Sequence, residues 1–516
     1  MGRRLKNKIV YIFLWLIIVV CLISSCAKSE TTYSSNAPTL NNESETTPDN
    51  SINDPNKAEG NISLGLYGFD TLNPLLTRNS FIIEYMSLVF NSLIEYDNEC
   101  KPVPCLAESW ETNDGGVTWS FKIKENIYFH DDSVFTVYDV KNTLEWLKSN
   151  NSYYSYCAED VVSYKIKSQH EIDIILAEAD ALFPSKMDFP ILKSENLGDG
   201  FTTPNGTGAY KYKNSSDGKY IFEINKNYFG NFPKIKSIEI QCFEDAEALH
   251  ESNADVILNF GDNVIKYAKK DGYAVRQYSS STVCAMVPSE KIQLNVRHFI
   301  NENIDKTLII HAALADCASE INVLLPQDTY FTKGLYNVGE SFDITKPDRI
   351  KLIVDKNDED LVRIAFVVEK QLKALSIECE TLVLSSEEYS ASLKTGDYDF
   401  AFENYELKFV PDLDDFFALE GALNYNKFAD ESVRDLMMSI NNSYSEKEIS
   451  GVVDDASLYS YVSNQTLKLG TRLSEVLPII CLCRKNASIS VSDNIKDISL
   501  YNITFWNTMD ITSWRK

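Results

Sequence analysis

Residues 204–240, PNGTGAYKYKNSSDGKYIFEINKNYFGNFPKIKSIEI, constrain this chain more than any other stretch. A small-residue turn, Asn205-Gly206-Thr207-Gly208, runs into a strand of alternating aromatics and then a second strand. Asn227-Tyr228-Phe229-Gly230 follows, and Pro233-Lys234-Ile235 opens a third strand. Alternation of this kind fits a pleated surface, so the aromatics are expected to fill the faces of a large mixed sheet. The glycines are expected to permit tight turns at positive φ.

The N-terminus sets the compartment. Arg3, Arg4, Lys6 and Lys8 precede an uninterrupted apolar run over residues 9–23, a positive n-region followed by an h-region of 15 residues. That run is short for a membrane span of roughly 20 residues. It ends in Leu22-Ile23-Ser24-Ser25-Cys26, similar to a bacterial lipobox, so residues 1–25 are expected to be a signal peptide and Cys26 the lipidated residue. Residues 26–61 are rich in Ser, Thr, Asn, Pro and Glu, with Tyr33 their only aromatic. Such a segment cannot bury enough apolar surface to offset the entropy of ordering, and a disordered tether is expected. One acyl chain binds only marginally, so anchoring at the outer face of the bacterial cytoplasmic membrane requires a diacylglyceryl group.

The roughly 455 residues beyond the tether suggest two to four units at about 100–200 residues per domain. Hydrophobic residues at 44% and charged residues at 24% mark a globular chain. Cleavage before Cys26 removes four basic residues and leaves 45 basic against 75 acidic, a net charge of −30. A field of that sign repels nucleic acid and anionic lipid. Of 11 cysteines, Cys21 leaves with the signal and Cys26 is acylated, so an odd number remain and cannot all pair within the chain. Most sit in apolar runs where a free thiol behaves as a small hydrophobe. Cys100 and Cys105 flank a Pro-containing loop and are the one pair whose bridging the sequence leaves open.

Along the chain, residues 62–66 read as a strand, Leu72-Asn73-Pro74 as a loop, and residues 81–93 as an amphipathic helix with Ile82, Tyr85, Met86, Val89, Phe90 and Leu93 at helical spacing. Leu106-Ala107-Glu108-Ser109-Trp110, an Asp114-Gly115 turn, Trp119-Ser120-Phe121-Lys122-Ile123 and Phe129-His130-Asp131 come next. Thr136 and Asp139 then form a capping box ahead of a helix carrying Val140, Leu144 and Leu147. Further on, Val296-Arg297-His298-Phe299-Ile300 with Ile304-Asp305-Lys306 marks another helix. Residues 350–354, 361–375 and 378–383 read as a β-α-β unit, and Asp397-Tyr398-Asp399-Phe400 and Phe416-Phe417 follow. No repeat of 20–50 residues is present.

Taken together, these motifs from residue 62 to 516 resemble the family 5 extracellular solute-binding proteins, the oligopeptide and dipeptide binders of ABC importers. The resemblance implies an α/β, two-lobed periplasmic-binding-protein-like fold, type II and cluster C-like, with an extra subdomain in the first lobe. It places residues 62–97, 203–280 and 487–516 in the main sheet of lobe I, 98–202 in the extra subdomain and 281–486 in lobe II. A cleft between hinged lobes would bury a ligand from water. The implied partners are a peptide or other small solute, an ABC transporter permease, and the membrane through the lipid anchor. No nucleic acid and no cofactor are implied, and the chain is expected to act as a monomer. A solute sensor, or a surface lipoprotein with enzyme activity on the same scaffold, is the alternative.

Catalytic patterns are missing. The five histidines show no His-x-x-x-His spacing, and there is no Gly-x-Ser-x-Gly elbow and no phosphate loop ending in Gly-Lys-Ser/Thr. Cys481-Leu482-Cys483 alternates as a core strand does, with both thiols expected on one face. No enzyme activity and no metal site are therefore expected. The segment 397–417 carries the binding edge: in the resembled family its strand ends in a loop of the form Trp-x-x-Asp-Tyr-Pro-Asp-Pro, the strand's free backbone groups pair with an extended peptide, and the Asp after the Trp takes the peptide's amine. Here the text is Asn404-Tyr405-Glu406-Leu407-Lys408-Phe409-Val410-Pro411-Asp412, one residue longer. Tyr405 falls at the Trp position, where it could stack on a ligand, and Lys408 or Phe409 replaces the amine-binding Asp. A lysine repels an ammonium at close range. Three readings stay open: Glu403 or Glu406 takes the amine, Lys408 meets an anionic solute, or Lys408 points into water. The facing wall is expected at Gly68, Phe69 and Asp70, with Asn73 where Asp is common. The candidate ligand-binding residues are thus Gly68, Phe69, Asp70, Asn404, Tyr405, Lys408, Phe409 and Asp412.

Overall fold

The polar and apolar alternation around residue 210 becomes the outer edge of an 11-stranded mixed sheet. The computed structural model describes residues 54–97, 101–198, 203–326, 332, 342, 344–408, 411, 413–443, 455–496 and 514–516. Cys26, residues 1–25, the tether as far as residue 53, Cys100, Phe409 and Asp412 lie outside them.

In chain order the strands are β1 (Glu59–Tyr67), a short hairpin β2 (Ile94–Tyr96) and β3 (Pro102–Pro104), and a separate four-stranded sheet. That sheet comprises β4 (Ala107–Thr112), β5 (Thr118–Ile123), β6 (Val161–Ser168) and β7 (Glu171–Leu176). Then come β8 (Tyr210–Ser216), β9 (Lys219–Ile224), β10 (Ile235–Phe243), β11 (Val256–Asn259), β12 (Tyr273–Pro288) and β13 (Ala318–Glu320). The last are β14 (Arg349–Asp355), β15 (Glu378–Leu384), β16 (Phe400–Glu406) and β17 (Ile480–Ser492). The main sheet runs β15-β14-β16-β12-β17-β11-β1-β10-β9-β8, with β13 on β17.

Several elements follow directly from local chemistry. The Thr136–Asp139 capping box opens the Val137–Ser149 helix, a device that contributes about 1 kcal/mol. β14 and β15 pair in parallel from Arg349↔Glu378 to Asp355↔Leu384. They are joined by the Glu359–Ala374 helix, which buries Leu361, Ile364, Ala365, Val368 and Leu372. Each of those aliphatic side chains contributes about 1.5–3 kcal/mol on burial, Ala365 less. β1 begins at Glu59, ahead of its apolar run, because Glu59 and Asn61 already pair with Ile235 and Ser237 of β10. Ladder bonds carry polar residues that an apolar-run criterion overlooks.

The expected 81–93 helix stops early, at Met86. Leu88 and Val89 instead give their carbonyls to the backbone N–H groups of Tyr210 and Gly208, at 3.0 and 2.9 Å, so the following turn cannot close as helix. This also reassigns the glycines of the 204–208 turn. Neither Gly206 nor Gly208 has a positive φ. A Cβ on Gly206 would lie 2.0 Å from the Val89 carbonyl oxygen, and one on Gly208 2.6 Å from the Val89 carbonyl carbon. Their role is close backbone approach.

β12 and β17 are the two longest strands and traverse both halves of the sheet. Over Tyr273–Ser279 β12 pairs with Ser492–Asn486, beside β11; past a slip it pairs Val283 with Arg484, beside β16. A second irregularity lies between Cys284 and Ala285, opposite Cys483 and Cys481. This bulge turns Cys481 into the larger apolar cluster and Cys483 into a second one. The expectation that both thiols share a face is therefore corrected, since an extra residue breaks the period of two. Cys105 is a free thiol and donates to Glu95 Oε1 at 2.7 Å.

The larger cluster combines β1, β10, β11 and the four-stranded sheet with Val433, Met437, Leu458 and Leu469 of the Glu431–Asn441 and Asp455–Val476 helices. The second is built by β14, β16 and the Glu359–Ala374 helix. Ala181 N–H donates to the Asn441 carbonyl at 2.9 Å, which ties the 107–198 region to the Glu431–Asn441 helix.

Candidate functional site

The slip in β12 falls on Ser279-Ser280-Ser281-Thr282, four small hydroxyl residues. Arg484, 2% exposed, donates its Nε–H to the Ser280 carbonyl. Ser280 Oγ donates to the Lys485 carbonyl at 2.8 Å. The Glu406 carboxylate, at the end of β16, accepts from the hydroxyls of Ser281 and Thr282. The crossing is thus hydrogen-bonded through side chains where the ladder lapses, as buried polar groups require. Lys485 Nζ lies 2.8 Å from Asp360, and Arg363 bridges to Asp262 at 2.9 Å.

β16 carries the expected binding edge into this crossing, with Cys284↔Asn404, Val283↔Tyr405 and Thr282↔Glu406 in register. The Asn404 side chain is engaged at both ends, its amide donating to Asp358 and its oxygen accepting from the Cys284 thiol at 3.2 Å. Tyr405 is 1% exposed, with Phe416 edge-on at 5.2 Å and 87°. It therefore presents no open ring face here, and the expectation of a stacking platform gives way to a core residue. Its hydroxyl is buried without a hydrogen-bond partner among the described residues. Lys408 Nζ sits 3.5 Å from Asp415 and 5.3 Å above the Tyr156 ring. Its charge is met by the chain itself rather than pointing into water. Burial lifts the Glu403 carboxyl to about 7, while the Tyr389 hydroxyl donates to it at 2.7 Å.

The residues expected at the facing wall are also internally tied. Gly68 takes φ +66°, and its carbonyl and that of Tyr67 accept from Asn79 Nδ2 at 2.9 and 2.8 Å. Asn79 in turn caps the Ser80–Met86 helix through Phe81 N–H. Phe69 stacks on Tyr220 with centroids 5.0 Å apart. Asp70 accepts from Thr77 Oγ1, Arg78 N–H and Thr71 N–H at 2.7–2.8 Å. Asn73 is fully buried, with Oδ1 accepting from Leu75 N–H.

Sequence reasoning missed a second group of residues. Glu84 and Asp188 line one recess together with Asn91 and Tyr154. Burial raises both carboxyls to about 7. Tyr153 lies in the field of Glu406, Asp188 and Glu84, and Tyr278, just before the slip, in that of Glu84. Only Glu84, next to the buried Tyr85 on a helix, carried a sequence signal, as a charge on an otherwise apolar helix face.

A profile described as bacterial extracellular solute-binding proteins, family 5 Middle, matches residues 101–425. The chain is 25% identical over 334 residues to the nickel-binding periplasmic protein of Escherichia coli, covering 60% of this chain and 62% of that protein. It is 23% identical over 521 residues to the oligopeptide-binding protein AppA of Bacillus subtilis, covering 87% and 91%. Among solved structures, the ABC transporter substrate-binding protein CtaP of Listeria monocytogenes matches with a TM-score of 0.70 at 16% identity, over 89% of this chain and 99% of that one. With the mixed α/β architecture above, these matches establish that the chain belongs to the family 5 bacterial extracellular solute-binding proteins.

Proposed function

We propose that this protein is the lipid-anchored receptor of an ABC importer. It captures an oligopeptide or related small solute between two lobes and presents the closed form to a membrane permease. The lobes are residues 62–97, 203–280 and 487–516 with the 98–202 subdomain on one side, and 281–486 on the other. Cys26 carries the anchor and residues 26–61 the tether, which keeps the receptor outside the cytoplasmic membrane. No bond in the solute is made or broken.

The observation that carries this reading is the strand crossing. Only β12 and β17 run through both halves of the sheet among the described residues, and the slip at Ser279–Val283 gives the halves a place to bend. A ligand bound by both halves favours the closed state by its differential affinity, and the permease that selects that state is thermodynamically linked to it. The names of the relatives, which bind oligopeptides and nickel, fit a small solute. Because Lys408 is already engaged by Asp415 and Tyr156, a free peptide amine would be met elsewhere.

The test is small-angle scattering and thermal denaturation of residues 27–516 with a panel of tri- to nonapeptides and metal–histidine complexes. A bound solute is expected to raise the melting temperature and shrink the radius of gyration while being recovered unaltered. Turnover of a stabilising compound would overturn the receptor reading in favour of an enzyme.

A further inference from the structure

Among the described residues, Glu84 and Asp188 form a pair of carboxylates without a counter-charge. Glu84, from the Ser80–Met86 helix, and Asp188, from the segment after the Phe183–Lys186 turn, line a cavity of about 90 Å³ whose walls include Met86, Phe90, Asn91 and Tyr154. Among the described residues no lysine, arginine or histidine lines it. Among the described residues neither carboxylate has an ion-pair or side-chain hydrogen-bond partner, and Oδ1 of Asp188 is sealed from solvent without a donor. The two nearby lysines are engaged elsewhere, Lys186 with Asp180 at 2.9 Å and Lys408 with Asp415 at 3.5 Å. Asn91, 7% exposed, also lines the recess, and its side-chain oxygen accepts from Thr207 Oγ1 at 3.0 Å.

Both residues are half-buried, and a carboxylate drawn partly out of water without a partner is costly, two beside one cavity more so. A fold that keeps both gains from them when something of opposite charge enters. The surrounding rings sharpen the chemistry. Tyr154 lines the cavity, and Tyr153 lies in the field of both acids. Aromatic faces beside carboxylates favour a soft organic cation. No cluster of metal-ligating side chains occurs among the described residues, so the arrangement suits an organic cation better than a bare ion. The space is that of a head group, so the rest of the solute would extend from it.

We propose that the Glu84–Asp188 recess is a subsite for an ammonium or guanidinium group, and that the transported solute is read chiefly through that cation. This rests on the receptor reading above and names its substrate class. Glu84 and Asp188 are the charge partners, and Asn91 offers Nδ2–H to an acceptor on the same solute.

The experiment uses residues 27–516 and matched probe pairs at equal ionic strength: agmatine, arginine amide and lysine amide against neutral isosteres, followed by thermal shift. At least one cation is expected to raise the melting temperature by about 2 °C or more over its isostere. That difference is expected to vanish in E84Q/D188N, whose own melting temperature at pH 8 rises because the unpaired charges are gone. No excess of any cation over its isostere overturns the proposal, and so does an excess that survives in the double variant. Neutral or anionic solutes that stabilise the wild type while cations do not would remove this subsite and leave the receptor standing. A protein that no solute stabilises would remove both.

Discussion

Lys408 and the Glu84–Asp188 recess are charged sites near the same strand crossing, and they are built on opposite rules. Lys408 departs from the text of the resembled family, yet its ammonium is placed against Asp415 and the Tyr156 ring. Glu84 shows in the sequence only as a charge on an apolar helix and Asp188 not at all, yet both line a cavity with no lysine, arginine or histidine among the described residues. The difference teaches where binding free energy can reside. A charge already satisfied by its own chain gains little from a ligand, whereas an unsatisfied one has its desolvation cost already met in the folded protein.

The most forceful way to break the comparison is to collapse the recess from behind. Gly206→Ala would set a methyl group 2.0 Å from the Val89 carbonyl oxygen, in the segment that leads into Phe90 and Asn91. A loss of about 3 kcal/mol is expected in urea denaturation, with the unfolding slope unchanged.

Acidity gives the next largest effect. Folded-state carboxyls at about 7, above ordinary values of 4.5 for Glu84 and 3.8 for Asp188, hold protons that the unfolded chain has released. Their contribution to stability is fully present below those ordinary values and is lost as pH rises through about 7. The groups around them are Tyr85 and Tyr278 near Glu84, and Tyr153, Tyr154, Tyr156 and Cys157 near Asp188, with Lys186 and Lys408 acting on Cys157. None of the phenols or the thiol ionises in that window, since each is raised by burial. The melting temperature of wild type minus that of E84Q/D188N is therefore expected to fall between pH 5 and pH 8. A flat difference would show that these acids titrate as free carboxyls do.

The smallest effect belongs to the satisfied side. Lys408→Met removes a half-exposed ion pair, and a stability change of no more than about 1 kcal/mol is expected. The order in which solutes stabilise the protein should be kept. A reordered profile would return Lys408 to the ligand and sharpen the contrast the other way.

Much of the architecture is legible in the sequence. The β-α-β unit at 349–384, the Thr136 cap and the hairpin at 107–123 follow from periodicity and turn chemistry acting over a few residues. What escaped was set by partners distant in the chain. The helix from Ser80 ends at Met86 because Gly208 and Tyr210 claim the Leu88 and Val89 carbonyls. Cys481 and Cys483 part company at a bulge that alternation alone does not announce. Tyr405 reads as a ligand platform until Phe416 folds onto it. Glu84 and Asp188 become a pair only when the helix after β1 meets the segment after β7, and neither position carries a local motif.

The slip at the crossing has a consequence for chain length. Between Ser279↔Asn486 and Val283↔Arg484, β12 advances four positions while β17 advances two. Both counts are even, so the β12 side chains beyond that point keep their alternation, Val283, Ala285 and Val287 toward one cluster and Cys284 and Met286 toward the other. Natural variants should therefore gain or lose residues in this serine-rich link by twos. A single codon deleted there would turn the remainder of β12 inside out, presenting Cys284 and Met286 to the wrong layer.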